Sequence, residues 1–140
     1  MQITRQTEYA IKILIELAKS PFGELIPSKL IAEQQDIPGM FLQKTVQLLS
    51  RAGLVSTQRG IKGGVRLTLP AEKVTIADVI IAIEGPLALN SCLSPGYSCP
   101  NMADCQVRRI LGRAQAALLH ELQQENIADI VAGKRPSEDR

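Results

Sequence analysis

The fold is decided by residues 27–67, which read PSKLIAEQQDIPGMFLQKTVQLLSRAGLVSTQRGIKGGVRL. Apolar residues recur at helical spacing in two segments of this stretch, and we predict helices over 27–34 and 40–52. Leu30 and Ile31 are expected to supply the buried side of the first helix, and Gly53 is expected to be the left-handed cap after the second. Pro38 and Gly39 lie between the two segments, and this pair is typical of a tight turn. The stretch therefore begins as two short helices joined by a turn.

The period of the apolar pattern changes after the second helix. Val65, Leu67 and Leu69 alternate with polar residues, which is typical of a β-strand, and a glycine-rich turn over 60–64 precedes them. We therefore predict a two-stranded hairpin over 55–69. Two helices, a tight turn and a glycine-containing hairpin together predict a winged helix-turn-helix, and the expected fold class is mainly α with a small β-hairpin.

The flanking segments are also predicted to be helical. A helix over 4–20 has Thr4 as its N-cap, and a helix over 75–84 begins with a threonine–aspartate capping box. Asn126 is expected to cap a last short helix. A long helix over about 103–124 carries an apolar stripe that exceeds the core available to cover it, so we expect this helix to pack against a second copy of the chain.

The composition indicates a small protein with an aliphatic core. Hydrophobic residues make up 45% of the 140 residues, but aromatic residues make up only 3%. No run of about 18 apolar residues is present, so no membrane partner is expected. The N-terminus lacks the charged-then-apolar layout of a signal peptide, and we expect a cytoplasmic protein.

Positive charge is concentrated in the predicted helix-turn-helix and hairpin. Between Ile37 and Ala71 there are five cations and no acid. A stretch of one sign inside a patterned segment suggests a surface that faces a polyanion, and the alternative is an ordinary solvated basic face. Combined with the winged-helix pattern, the charge favours double-stranded DNA as the partner.

The candidate DNA-contacting residues lie on the second helix, at the start of the first helix and on the hairpin. Gln43 and Gln47 offer bidentate amides to adenine, and Lys44 reaches guanine or a phosphate. Arg59 lies at the tip of the predicted hairpin, which is the wing of the winged helix, and is placed to enter a minor groove. Each of these residues, taken singly, has the alternative of an ordinary surface role. The full set is Ser28, Lys29, Met40, Gln43, Lys44, Gln47, Arg59 and Lys62.

Three cysteines lie close together after the predicted helix over 75–84. Cys92, Cys99 and Cys105 have the spacing C-x6-C-x5-C. An odd number argues against a disulfide framework, and the C-x2-C pairs that are usual in structural zinc sites are absent. Wide spacing in a loop suits an iron–sulfur cluster held by thiolates. The alternatives are scattered reduced cysteines, a thiol redox switch, or zinc with an outside ligand.

The hairpin and the cysteine loop together resemble the IscR-type winged-helix regulators of bacteria, which are iron–sulfur cluster regulators related to nitric-oxide and iron sensors. The likeness runs through almost the whole chain. It is carried by Ile3-Thr4 to Tyr9-Ala10, Ile37-Pro38 to Phe41-Leu42, Leu48 to Val55, Arg59-Gly60 to Gly63-Gly64, Thr75-Ile76 with Asp78, and the cysteine loop after Gly85-Pro86.

The resemblance implies a homodimer joined through the long helix and a cluster held by Cys92, Cys99 and Cys105. We expect a 2Fe–2S cluster, with 4Fe–4S as the alternative. The resemblance also implies that the presence or state of the cluster alters the affinity for DNA or the choice of site. These expectations come from the likeness and not from the periodicity of the chain.

The fourth ligand of such a cluster is not fixed by the resemblance. The biogenesis branch of the family commonly has a histidine three residues after the third cysteine, where this chain has Arg108. In some relatives a carboxylate from the first helix of the partner subunit completes the site, and Glu8 lies at that position. The alternative role of Glu8 is an ion pair with Lys12 on a solvated helix face.

The expected function is that of a dimeric DNA-binding transcription regulator that senses iron–sulfur cluster status and controls cluster-biogenesis genes. The alternatives are a nitric-oxide or iron-responsive regulator of the same family, and a zinc or thiol-switch regulator without a cluster. No enzyme is expected and no catalytic residue is assigned, because the chain has one histidine and no phosphate-binding loop after a strand. The expected units are a DNA-binding domain over 1–84, a cluster-binding loop over 85–102, a dimerisation helix with a short terminal helix over 103–132, and a flexible tail over 133–140.

Overall fold

The computed structural model of the chain describes residues 3–98 and 104–133. Its elements are α1 (Arg5–Ala18), α2 (Ser28–Gln35), α3 (Gly39–Arg51), β1 (Val55–Gln58), β2 (Gly64–Leu67), a 3-10 turn (Ala71–Lys73), α4 (Ile76–Glu84), a 3-10 turn (Ser91–Leu93), α5 (Gln106–Leu122) and α6 (Ile127–Ala132). The predicted fold class, mainly helical with one two-stranded antiparallel hairpin, is confirmed. None of the helices in these residues has the length and the apolar run that are needed to span a bilayer.

Local caps set the helix ends that the sequence predicts. Thr4 caps α1 by accepting a hydrogen bond from Thr7 N. Thr75 and Asp78 form a capping box at α4, in which each side chain binds the other's backbone N–H. Gly53, after α3, has a φ of 78°, which a glycine adopts without the steric cost that a Cβ brings.

The core is aliphatic and surrounds α1. Ala10, Ile13 and Leu14 are fully buried, and α1 contacts α2, α3, α4, α6 and β2. In α2, Ile31 is buried as expected. The expectation that Leu30 shares this buried side is wrong, because α2 is only eight residues long and Leu30 lies on its solvent side, 42% exposed.

The hairpin is fastened to the chain before α2. β1 and β2 pair with Val55 opposite Leu67 and Gln58 opposite Gly64. Ile26 and Val65 exchange two backbone hydrogen bonds of 2.9 Å, so the segment before α2 pairs with the outer side of β2. The hairpin is therefore held to the helical part by main-chain bonds.

The short terminal helix α6 returns to the first helices of the chain. Ile127 is buried in the same core as α1, and its N–H donates to Val74 O at 2.8 Å. Asn126, which caps α6, also pairs with Thr75 in an isolated antiparallel bridge. The core that α1, α2 and α3 share therefore includes a residue from far down the chain.

The helix α5 lies against little else within the protomer. None of its residues is buried, and Val107 and Ile110 are 61% and 55% exposed. It begins at Gln106 and ends at Leu122, slightly before the predicted end, and the predicted start at 103 lies outside the described residues. An amphipathic helix with an uncovered apolar side needs a further surface to bury it.

A carboxylate at the end of α4 holds the start of α1. Glu84 Oε1 accepts hydrogen bonds from the Thr4 hydroxyl and from the Thr7 hydroxyl, the latter at 2.6 Å. Thr7 is fully buried, so its hydroxyl depends on this acceptor. The hydrogen bonds from Thr4 and Thr7 lower the pKa of Glu84 below its usual range, although burial opposes them.

Replacing Glu84 by alanine is expected to lower the free energy of unfolding by about 1–2 kcal/mol at neutral pH, because the buried Thr7 hydroxyl loses its acceptor. Since the folded-state pKa is lowered, the contribution of the carboxylate is present above the unfolded-state pKa of about 4.3 and is lost as the pH falls through the folded-state value. The difference in the free energy of unfolding between the wild type and Glu84→Ala, measured in urea, is therefore expected to shrink as the pH falls below about 4.3. Glu72→Ala, in the exposed 3-10 turn, is the control. A difference that persists unchanged in acid would contradict the role given to the charge.

Candidate nucleic-acid interface and cysteine segment

The helix α3 has one buried side and one solvent side. Its buried residues are Leu42, Thr45, Val46 and Leu49. On the exposed side lie Met40, Gln43, Lys44 and Gln47. These four are the residues that the sequence assigns to base contacts, and the structure places all of them in solvent.

A cleft of about 530 Å³ separates α3 from the hairpin. One wall is formed by Ser28, Gln43 and Gln47, and the other wall includes Arg59 and the glycines of the wing. Four residues that are separated in sequence are thus brought to one concave surface. No acidic residue is found among the described residues that line the cleft.

The N-terminus of α2 opens onto the same surface. Pro27 precedes α2 and no side chain caps it, so the first N–H groups of the helix are available to an outside acceptor. Ser28 lies in the cleft, and Lys29 lines a neighbouring hollow of about 260 Å³ that also includes Gln43. A helix N-terminus with a serine and a lysine is a suitable phosphate contact.

The wing carries its remaining candidates at the surface. Arg59 and Lys62 are exposed, and Lys62 does not line the cleft. Lys44 and Met40 also lie outside the cleft lining, on the exposed side of α3. The structure therefore divides the predicted set into a cleft group and an outer group, both drawn from α2, α3 and the wing.

Sequence reasoning missed several residues that line the cleft, namely Pro27, Thr57, Gln58 and Ile61. The alternation of β1 could have indicated Thr57, because it lies two residues after the buried Val55 and opposite Val65, on the side of the hairpin that faces the helices. The position of Pro27 depends on the pairing of Ile26 with β2, which no local pattern in the sequence shows.

Two of the three cysteines lie within the described residues. Cys92 belongs to the 3-10 turn that contacts α5, and Cys105 is the N-cap of α5. The Cys105 sulfur accepts a hydrogen bond from Arg108 N at 3.4 Å. Both thiols are unpaired and partly exposed. The structure therefore brings two soft ligands to α5, while Cys99 lies outside the described residues.

The loop before the cysteines is bound along α5. Leu89 N donates to Gln115 Oε1 at 2.9 Å. A Cβ on Gly112 would meet Leu93 at 3.9 Å, which places the turn of Cys92 in contact range of the helix. Leu87, three residues after the end of α4, is buried. The segment that carries Cys92 thus starts at a buried residue and is attached to α5.

The metal site is not assembled in the described part of one protomer. Within residues 3–98 and 104–133, no group of three or more His, Cys, Asp or Glu side chains is close enough to hold a metal ion. Glu8 is exposed on α1. No ion pair between Glu8 and Lys12, its alternative role, is found among the described residues, whereas Lys19 and Glu16 form a salt bridge on the same helix or directly after it.

The family of the chain follows from comparison with known proteins. The sequence profile of Rrf2, described as an iron-dependent transcriptional regulator, matches residues 3–133. The chain belongs to the Rrf2 family. It is therefore a DNA-binding transcription regulator, and the predicted likeness to IscR-type regulators is confirmed at the level of the family.

Individual known proteins are similar to this chain over most of its length. Protein aau3 of Rhizobium meliloti (strain 1021) is 38% identical over 138 residues, covering 96% of this chain and 87% of that protein. CymR (YrzC), the global cysteine regulator of B. subtilis, has a TM-score of 0.74 at 28% identity, covering 96% of this chain and 99% of that chain. IscR of T. potens has a TM-score of 0.70 at 23% identity, covering 95% and 88%, which shows a shared fold.

Proposed function

We propose that this Rrf2-family regulator reads its operator through the cleft between α3 and the wing. The observation that carries the proposal is the convergence of Ser28, Gln43, Gln47 and Arg59 on that acid-free surface. Amides on α3 suit base edges in the major groove, and an arginine on the wing suits a minor groove. Lys29, Lys44 and Lys62 surround this surface and supply phosphate contacts, and Met40 supplies apolar contact near the start of α3.

The reading unit is a homodimer joined through α5. The apolar residues Val107 and Ile110 on an otherwise uncovered helix support this arrangement, because a second copy can bury both sides at once. In such a dimer each subunit contributes one reading head, which consists of α2, α3 and the wing. Two reading heads related by a two-fold axis require two half-sites in the DNA. The operator is therefore expected to be pseudo-palindromic.

Replacing Arg59 by alanine is expected to weaken operator binding by about 1–3 kcal/mol, because the wing loses its contact with a base or groove. The operator is obtained by selection from random duplexes, and affinities are measured by gel shift at a fixed salt concentration. Arg51→Ala is the matched control, since Arg51 lies in the last turn of α3 and does not line the cleft. Equal affinities for wild type and Arg59→Ala would remove Arg59 from the interface.

The cysteine segment supplies the regulatory input. The chemistry of the donor set fits an iron–sulfur cluster, because Cys92 and Cys105 are free thiols, one in the turn that contacts α5 and the other at the N-cap of α5, and thiolates are the usual ligands of such clusters. Cys92, Cys99 and Cys105 would hold a 2Fe–2S cluster, or a 4Fe–4S cluster, and Glu8 of the partner subunit would be the fourth ligand. A bound cluster supplies a group that can be loaded or lost and oxidised or reduced.

The chain's own contacts give a route from the cysteines to the reading head. The turn that holds Cys92 contacts α5, and α5 contacts α4. The helix α4 in turn contacts α3, which carries Gln43 and Gln47. Binding of a cluster by the cysteine segment would therefore change the packing of α5 against α4 and, through α4, the position of α3. We infer that the regulated genes are those of iron–sulfur cluster assembly, and operator binding with and without cluster tests the coupling.

A second candidate is a thiol switch without a cluster. It is favoured by the two free and partly exposed cysteines and by the likeness to CymR, a cysteine regulator in B. subtilis. Iron, acid-labile sulfide and zinc counts on anaerobically purified protein separate the candidates. Iron with equal sulfide supports the cluster, whereas an absence of both with operator binding that responds to oxidant supports the thiol switch.

A further inference from the structure

The tip of the wing ends in an apolar side chain that has no partner in the described residues. Gly63 N donates to Gly60 O at 3.0 Å, so Ile61 and Lys62 are the two central residues of a tight turn. Ile61 is fully exposed, more so than any other large apolar residue in the described part of the chain. A whole aliphatic side chain in water gains free energy from any surface that covers it.

The turn presents Ile61 from a fixed position. A Cβ on Gly63 would lie 2.1 Å from Gln58 O, and a Cβ on Gly64 would lie 2.3 Å from Ile26 O. The base of the turn is therefore packed against its own backbone. Ile61 extends from a closely packed support and not from a loose loop.

The position of Ile61 relative to the cleft indicates what covers it. Ile61 lines the cleft together with Gln47 and Arg59, so its side chain stands at the edge of the surface that faces DNA. Lys62, its neighbour in the turn, is a cation that suits the adjacent phosphates. An apolar side chain between two cations on a narrow hairpin matches a minor groove, which is about 6 Å wide and lined by sugars.

We propose that Ile61 enters the minor groove of each half-site beside Arg59 and selects a deformable base step there. This inference rests on the proposed interface at the cleft. Aliphatic side chains, isoleucine among them, open base steps from the minor groove, and pyrimidine–purine steps yield most easily. The wing therefore adds specificity at positions of the operator that the amides of α3 do not read.

The salt dependence of binding tests the apolar nature of the contact. Ile61→Ala is expected to weaken operator binding about tenfold while leaving the slope of log affinity against log salt unchanged, because no counterion is released. Lys62→Ala, at the other central position of the turn, is the matched control and is expected to reduce that slope by about 1. Unchanged affinity, or a reduced slope for Ile61→Ala, would overturn the proposal.

Selection from random duplexes tests the specificity. The wild type is expected to enrich a pyrimidine–purine step at the positions that the wing reads, and Ile61→Ala is expected to lose this preference while keeping the base preferences that α3 reads. Identical preferences for both proteins would overturn the assignment of Ile61 and leave the interface intact. Failure of the wild type to enrich any sequence would overturn the interface itself. A lower solution mass for Ile61→Ala without DNA would show that Ile61 is a protein contact instead.

Discussion

Gly64→Ala is expected to lower the free energy of unfolding by about 2–4 kcal/mol and to abolish operator binding. A Cβ at this position would lie 2.3 Å from Ile26 O and 2.6 Å from Ile26 C. Neither atom is the end of a flexible side chain, so the backbone pairing of Ile26 with Val65 must open. The wing then loses its attachment beside the cleft.

The measurement is urea unfolding, together with a gel shift on the selected operator. Gly39→Ala is the matched control for stability, because a Cβ at Gly39 meets nothing within 4 Å and the residue begins α3. We expect this control to change the free energy of unfolding by less than about 0.5 kcal/mol. A Gly64→Ala variant with the wild-type urea midpoint would show that the hairpin moves without loss of packing.

Cys105→Ala is expected to remove the visible absorbance, the iron and the acid-labile sulfide from anaerobically purified protein. The proposed cluster has three protein thiolates per protomer, and the loss of one leaves too few soft ligands to retain it. Cys99→Ala is expected to have the same effect. Ser91→Ala, an exposed residue of the turn next to Cys92, is the control and keeps the colour.

The structural part of Cys105 has to be separated from its ligand part. Cys105 caps α5 through Arg108 N, so its replacement also loosens the first turn of the helix. Cys105→Ser keeps a capping oxygen and is still expected to lose the cluster. Glu8→Gln is expected to retain the three thiolates and a more labile cluster. Coloured, iron-containing Cys105→Ser protein would refute the three-cysteine site.

Local chemistry accounts for what the sequence predicts correctly. The Thr75–Asp78 capping box and the left-handed Gly53 are determined by residues within one turn, so their patterns are readable without a structure. The exposed side of α3 follows from its helical period, and the same period identifies Gln43 and Gln47.

Contacts between distant residues account for what the sequence does not predict. Three such contacts join segments that share no sequence pattern. They are the backbone pairing of Ile26 with Val65, the hydrogen bond from Thr7 to Glu84, and the burial of Ile127 beside α1. For Leu30 the local pattern predicts burial that the tertiary structure does not provide, since a short helix contacts the core over too small a surface to bury every apolar residue. The cleft is likewise formed by tertiary packing, although the sequence identifies four of the residues that line it.

The position of Ile127 has a consequence for the synthesis of the protein. Chains emerge from the ribosome N-terminus first, and domains fold as units once their residues are available. Until Ile127 has been made, Val74 O lacks its hydrogen-bond donor and the core beside α1 lacks one of its apolar side chains. The reading head therefore completes its folding only after the cysteine segment and α5 have been synthesised. We therefore expect a nascent chain that stops within α5 to have an incompletely packed core and to bind the proposed operator more weakly than a finished dimer does.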